Sequence, residues 1–250
     1  MLIAVLSDIH SNLRALEAVL ADLGATDAVW HLGDVVGYGP EPQAVVDRLR
    51  EAGAIGVRGN HDDAAGGGKS IELFNPDGYR AMEWTRTRID ERTRSYLASL
   101  PAIRVPAGSD FTLAHGSPSD PIWEYVDSPV VAAPNLTAFQ TRYCLVGHTH
   151  VPRVFRESPH GGARGGERRM ALVRLGRDGR LALDDRRLIV NPGSVGQPRD
   201  GDPRASYMLV DTATAHITWH RVSYDLQATQ QAILAAGLPP DLALRLAYGQ

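Results

Sequence analysis

Cysteine is nearly missing: Cys144 stands alone among 250 residues. A single thiol excludes an internal disulfide and a cysteine-built zinc site, and it fits a reducing compartment. No apolar run is long enough for a membrane span, and the N-terminus lacks the basic start and small-residue cleavage site of a secretory signal. The expected location is therefore cytoplasmic, with no membrane partner. Charge of either sign is not in excess, since 26 Lys and Arg against 29 Asp and Glu leave a formal −3. That balance carries no nucleic-acid-binding signature. No internal repeat or long linker divides the chain, and a hydrophobic content of 43% suffices for one sizeable core, so residues 1–250 are read as one domain.

What the chain has instead is a series of apolar runs that end in polar clusters. Residues 2–6 are continuously apolar, as in a strand buried on both faces, and run into Ser7-Asp8-Ile9-His10. Residues 28–32 run into Gly33-Asp34, and 54–58 into Gly59-Asn60-His61-Asp62. Between them, 14–24 and 41–53 carry apolar residues at helical spacing, with Gly24 and Gly53 as stops. Strand–helix–strand–helix–strand implies a parallel sheet, whose strand ends share one crevice. Asp8, His10, Asp34 and Asn60 are therefore expected to converge. Burying two carboxylates, an imidazole and a carboxamide together is costly unless something offsets it, and divalent cations take these donors. Later runs supply His115 after 111–114, and His148 and His150 after 144–147. The last two are alternate residues, which face the same way in an extended segment.

The rest of the chain frames that crevice. Residues 63–69, with three adjacent glycines, read as flexible. Asn75-Pro76 opens a helix to about 89 and Asp90 caps a second, a helical insert over about 75–100 beside the crevice. Residues 103–105 and 110–114 read as a strand pair. Four prolines break 117–141, which carries Phe139 and where Trp123 and Tyr125 read as packing residues rather than a substrate platform. Beyond Pro152 the period becomes two, so 153–156, 170–175, 180–183 and 188–190 read as a second sheet. Arg177-Asp178-Gly179 is read as a hairpin turn and 158–169 as a mobile loop. The turn-rich residues 191–199 suit a close backbone approach to the crevice. Strands follow at 205–211 and 216–222, then a helix capped by Asp225 and a last one over 242–247. His31 reads as a core histidine, and His160, His216 and His220 as surface or strand residues.

Taken in order, Asp8-x-His10, Gly33-Asp34, Gly59-Asn60-His61-Asp62, Ala114-His115-Gly116 and Gly147-His148-Thr149-His150 resemble the five signature blocks of the calcineurin-like metallophosphoesterases. The resemblance implies an α/β fold, a four-layer αββα sandwich of two mixed sheets. It implies two divalent transition metal ions (Mn, Fe, Zn, Ni or Co), one held by Asp8, His10 and His150, the other by Asn60, His115 and His148, with Asp34 bridging. The implied reaction is hydrolysis of a small phosphate ester by a hydroxide held between the metals, with His61 as general acid. Whether Asp62 or Asp63 orients His61 is left open. Arg58 and Arg199 are candidate phosphate contacts, because guanidinium binds phosphate oxygens bidentately. Ser/Thr protein phosphatases and dinucleoside tetraphosphatases carry a phosphate-binding arginine where Tyr38 stands here, so the pattern looks more like the small prokaryotic predicted phosphodiesterases. Those two activities, and a non-enzymatic scaffold that binds a phosphorylated ligand, are the alternatives. Such scaffolds usually lack the acid histidine or several ligands, and none is missing here.

Overall fold

Alternation along the first strand, β1 (Leu2–Leu6), decides the layering. The structure is a computed structural model that describes residues 1–158, 169–176 and 179–250. Ile3 and Val5 enter one apolar cluster with Leu113 and Val190, while Ala4 and Leu6 enter another with Leu16, Val19 and Val46. A strand buried on both faces needs a layer on each side. The helices α1 (Leu13–Asp22) and α2 (Pro42–Glu51) lie on one side and a second sheet on the other.

The first sheet also contains β2 (Ala28–His31) and β3 (Ile55–Gly56), separated from the next strands by α3 (Asn60–Ala65), α4 (Pro76–Arg86) and α5 (Glu91–Ser99). The second sheet takes β4 (Ile103–Arg104), β5 (Phe111–Ala114), β6 (Tyr143–Leu145), β7 (Arg153–Glu157), β8 (Met170–Leu172) and β10 (Leu188–Asn191). The short helix α6 (Pro129–Asn135) covers its far face, where Ala132 meets Cys144, Phe155 and Ile189. Strands β9 (Arg180–Ala182), β11 (Ala205–Asp211) and β12 (His216–Val222) complete the first sheet, and α7 (Leu226–Ala235) and α8 (Pro240–Tyr248) end the chain. The orders are β3-β2-β1-β11-β12-β9 and β4-β5-β6-β10-β7-β8. Both sheets are mixed, and with helices outside each they form the expected αββα sandwich.

Register brings the strand ends level. β1 and β2 run parallel with Leu6 beside His31, and β5 and β6 run parallel with Leu113 beside Leu145. The polar clusters therefore leave their sheets at the same height. The expected caps Asn75, Asp90 and Asp225 accept the backbone N–H of Gly78, Thr93 and Ala228 at 2.8, 2.7 and 2.9 Å, and the structure adds Asn12, which accepts Ala15 N–H at 3.1 Å and caps α1. Gly24 and Gly53 stand at positive φ just past α1 and α2.

Three expectations need correcting. Residues 63–65 are not loose: they belong to α3, and Ala64 and Ala65 are fully buried in the cluster that holds Met82 and Leu97. Asp62 caps this helix by accepting the N–H of Gly59 at 3.0 Å, and the buried alanines outweigh the glycines that follow. Strand β9 joins the first sheet, with Leu181 beside Ile217, whereas β8 pairs with β7. The strands on either side of Gly179 thus lie in different sheets and form no hairpin; alternation specifies which face is buried, not which strand is the partner. Arg177, Asp178, His160 and most of the expected mobile loop lie outside the described residues. The third expected strand is only two residues long.

Among the described residues no helix is long and apolar enough to cross a membrane. Leu113 is fully buried between the sheets. Leu113→Ala is expected to lower unfolding free energy by about 2–5 kcal/mol in urea denaturation, and a loss under about 1 kcal/mol would contradict this packing.

Candidate metal centre

The site is built on strained backbone. Asp8, His10, Asp34, His148 and His150 have φ of 52, 48, 51, 65 and 59°. Side chains rarely adopt this left-handed region, and each instance costs about 1–3 kcal/mol unless the surroundings enforce it. Here they do. The loops after β1 and β2 zip together through Asp8 N–H to Gly33 O (3.1 Å), His10 N–H to Asp34 O (3.0 Å) and Ser11 N–H to Val35 O (3.0 Å). Asp62 ties the β2 loop to α3 by accepting Val35 N–H at 2.8 Å and Gly59 N–H at 3.0 Å. The turn-rich segment after β10 spans both sheets. Asn191 Nδ2 donates to Gly147 O at 2.6 Å, Ser194 Oγ to Asp8 O at 2.7 Å, and Gly196 N–H to Asp8 O at 3.0 Å. A Cβ on Gly196 would collide with the carbonyl oxygen of Ile9, so only glycine allows this approach.

The side chains on these loops converge as donors. His10 Nδ1 lies 3.2 Å from Val36 O and His150 Nδ1 lies 2.6 Å from Gln197 O. A carbonyl only accepts, so both rings carry their proton on Nδ1. Their Nε2 lone pairs then face each other at 3.1 Å. Asp8 Oδ1 is 3.3 Å from His150 Nε2, and Asp34 Oδ2 is 3.7 Å from His10 Nε2. Across the crevice, His115 Nδ1 donates to Leu32 O at 2.8 Å and His148 Nε2 to Trp123 O at 3.2 Å. His115 Nε2 therefore presents a lone pair to His148 Nδ1 (3.1 Å), Asn60 Oδ1 (3.2 Å) and Asp34 Oδ2 (3.3 Å). Lone pairs aimed at one another repel unless a cation lies among them, and backbone carbonyls that fix imidazole tautomers are the usual support of metal ligands. The seven side chains are all buried, and Asp34 touches both groups. The donor set fits divalent transition ions.

Beside these donors is a cavity of about 250 Å³. His61 lines it, its backbone N–H donating to Asp34 Oδ1 at 2.9 Å and its ring packed 4.4 Å from Tyr38 and 4.5 Å from Phe74. His61 Nδ1 has no hydrogen-bond partner among the described residues. Among the described residues His61 Nδ1 makes no hydrogen bond to a neighbouring carboxylate: Asp62 is engaged with the backbone as above, and Asp63 sits 3.3 Å from Arg58 Nε. Aromatic packing positions the ring instead. Arg58 does not line the cavity; its Nη1 donates to Ala98 O at 3.0 Å, so its candidacy as a phosphate contact is withdrawn. Arg199 does line it, held by Gln197 Oε1 at 2.8 Å and lying 5.9 Å over the Tyr38 ring. Trp123 and Tyr125, expected to be packing residues, also line it, and Tyr125 stacks on His148 at 3.8 Å. The available clue was their place in the loop immediately after His115. His31 is buried in the core, with neither ring nitrogen hydrogen-bonded among the described residues.

The profile of the calcineurin-like phosphoesterase superfamily domain matches residues 1–215. This chain belongs to that superfamily. An uncharacterized Methanocaldococcus jannaschii protein, MJ0912, is 37% identical over 258 residues, covering 100% of this chain and 98% of its own length. The crystal structure of a metallophosphoesterase from Sphaerobacter thermophilus superposes with a TM-score of 0.87 at 45% identity, covering 100% of this chain and 99% of that one. That of hypothetical protein PH1004 from Pyrococcus horikoshii OT3 superposes at 0.78 with 21% identity over 100% and 98%, a likeness of fold alone.

Burial and the Asp34 carboxylate set the charges in this crevice. Burial holds His10 and His150 well below the usual imidazole range and brings His148 down to about 3, favouring the neutral, ligating form. Burial also pushes Asp8 up to about 7. His115 goes the other way: burial lowers it, but the Asp34 carboxylate overrides this and raises it to about 9. With no cation present, His115 thus keeps a proton at neutral pH, and an incoming metal must displace it. Metal affinity is therefore expected to rise about tenfold per pH unit below about 9, and more steeply below about 7, where Asp8 also releases a proton. Mn²⁺ titration calorimetry from about pH 6 to about pH 8 checks this, and a flat affinity would contradict it.

Proposed function

We propose that this superfamily member is a two-metal phosphoesterase that hydrolyses a small phosphodiester. The observation that supports this most is the pair of donor groups joined by Asp34. Asp8, His10 and His150 would hold one cation and Asn60, His115 and His148 the other, with Asp34 shared. The ions are of the Mn, Fe, Zn, Ni or Co class, which this donor set accepts. When bound, the pair supplies Lewis-acid charge at the phosphoryl oxygens and an acidified water as nucleophile.

The chain's own groups do the rest. Arg199 faces the cavity and binds a phosphoryl oxygen. His61 gives its proton to the departing alkoxide or phenoxide oxygen as the P–O bond breaks. Burial pushes its imidazole down to about 4, so it is neutral in the empty site. An anionic phosphoryl group beside it favours the protonated ring, which arms the acid only when substrate is in place.

The alternatives fit less well. Tyr38 occupies the position from which a protein phosphatase or dinucleoside polyphosphate hydrolase would reach phosphate with arginine, and Arg199 is the only Arg or Lys among the described residues lining the cavity. A non-enzymatic scaffold would not need His61 held beside a complete donor set. A single buried thiol and near-neutral charge support a cytoplasmic enzyme acting on a soluble ester.

Mn²⁺-loaded protein is expected to hydrolyse bis(p-nitrophenyl) phosphate and to lose that activity with chelator or with Asn60→Ala. His61→Ala is expected to retain metal while losing ~10²–10⁴ in turnover, with the larger loss for leaving groups poorer than p-nitrophenolate. A His61→Ala protein that loses its metal, or a loss independent of the leaving group, would overturn the acid assignment.

A further inference from the structure

One wall of the cavity is not used by the chemistry of the phosphoryl group. Phe74 reaches it from the end of the 3-10 turn Lys69–Leu73, and Trp123 and Tyr125 from the loop between β5 and α6. The Phe74 and Trp123 rings lie 5.7 Å apart at 56°. Tyr125 stacks one face on His148 at 26°, yet 48% of the residue stays exposed. Leu73, next to Phe74, is 69% exposed. Large apolar side chains gathered at the mouth of a buried polar site mark a surface that is covered when the site is filled. Arg199, which also lines the cavity, lies over Tyr38.

We propose that this wall is a subsite for a planar aromatic group, aryl or nucleobase, esterified to the phosphate; the proposal rests on the phosphoesterase reading above. Its chemistry is that of a stacking platform. Aromatic side chains with free faces take flat π systems in offset stacks and do so with little regard to ring identity. Tyr125 is the centre of the platform, because His148 rigidifies it from behind and so lowers the ordering cost of binding. A polyphosphate chain or a sugar phosphate would find only Arg199 as a cation among the described lining residues, and would leave the aromatic wall uncovered. The phosphoryl end of such an ester meets Arg199 and the aromatic end meets Phe74, Trp123 and Tyr125, all of which line one cavity.

Calorimetric binding to the full, Mn²⁺-loaded chain tests this with ligands that differ only in the arm. Phenylphosphonate is expected to bind at least about tenfold more tightly than methylphosphonate, and thymidine 5′-monophosphate similarly against 2-deoxyribose 5-phosphate. Tyr125→Leu should cut either advantage below about threefold, while Tyr125→Phe should keep it. Comparable affinities within both pairs in the wild type, or an advantage untouched by Tyr125→Leu, would overturn the proposal. An advantage for one pair alone identifies the arm as aryl or as nucleobase and supports it. Hydrolysis of bis(p-nitrophenyl) phosphate by the same sample reports separately on the phosphoesterase reading. An arm preference without turnover leaves the subsite standing and removes the enzyme; turnover without a preference does the reverse.

Discussion

Two imidazole nitrogens that aim their lone pairs at each other across 3.1 Å are tolerable only around a positive charge, and the crevice is arranged about that constraint. The tautomers of His10 and His150 are not free to relieve it, because Val36 O and Gln197 O hold their Nδ1 protons. The same holds on the other side, where Leu32 O and Trp123 O fix His115 and His148. Without a cation the only relief is a proton, and the Asp34 carboxylate draws one to His115 against the pull of burial. The donor geometry therefore poses an electrostatic conflict that a pair of divalent ions would resolve.

Holding that geometry takes hydrogen-bonded support from both sheets. Five of the seven converging donor residues sit in left-handed backbone, a conformation that no local preference of Asp or His would sustain over so many residues. The loops stay there because the backbone of one satisfies the backbone of the next. Residues 191–197 then bind the β1 loop of the first sheet to the β6 loop of the second. The sandwich thus supplies two rigid platforms, and the site exists only where their strand ends are brought level.

Much of this was legible in the sequence, for reasons that can be named. Leu2–Leu6 reads as a doubly buried strand because it is one. Helix starts at Asn75, Asp90 and Asp225 carry their own capping chemistry, so they survive whatever packs around them. The ligand types mark the crevice because few other sites tolerate that mixture at strand ends. What was not legible depends on distant partners. Leu181 alternates like any edge strand, and only pairing with Ile217 assigns β9 to the first sheet. Residues 63–65 look loose beside three glycines until Met82 and Leu97 bury them. Arg58 sits next to Gly59-Asn60-His61 in the chain, yet its guanidinium turns to Ala98 and Asp63. Tyr125 and Trp123 show no periodicity that would separate a cavity wall from a core; stacking on His148 does so.

Seven side chains between Asp8 and His150 are expected to grip two cations. Anomalous diffraction from crystals of manganese-reconstituted protein tests this most directly. The account expects two anomalous peaks about 3.5–4 Å apart, one among Asp8, His10 and His150, the other among Asn60, His115 and His148, with Asp34 between them. No peak in the crevice, or manganese bound only outside it, would contradict the account.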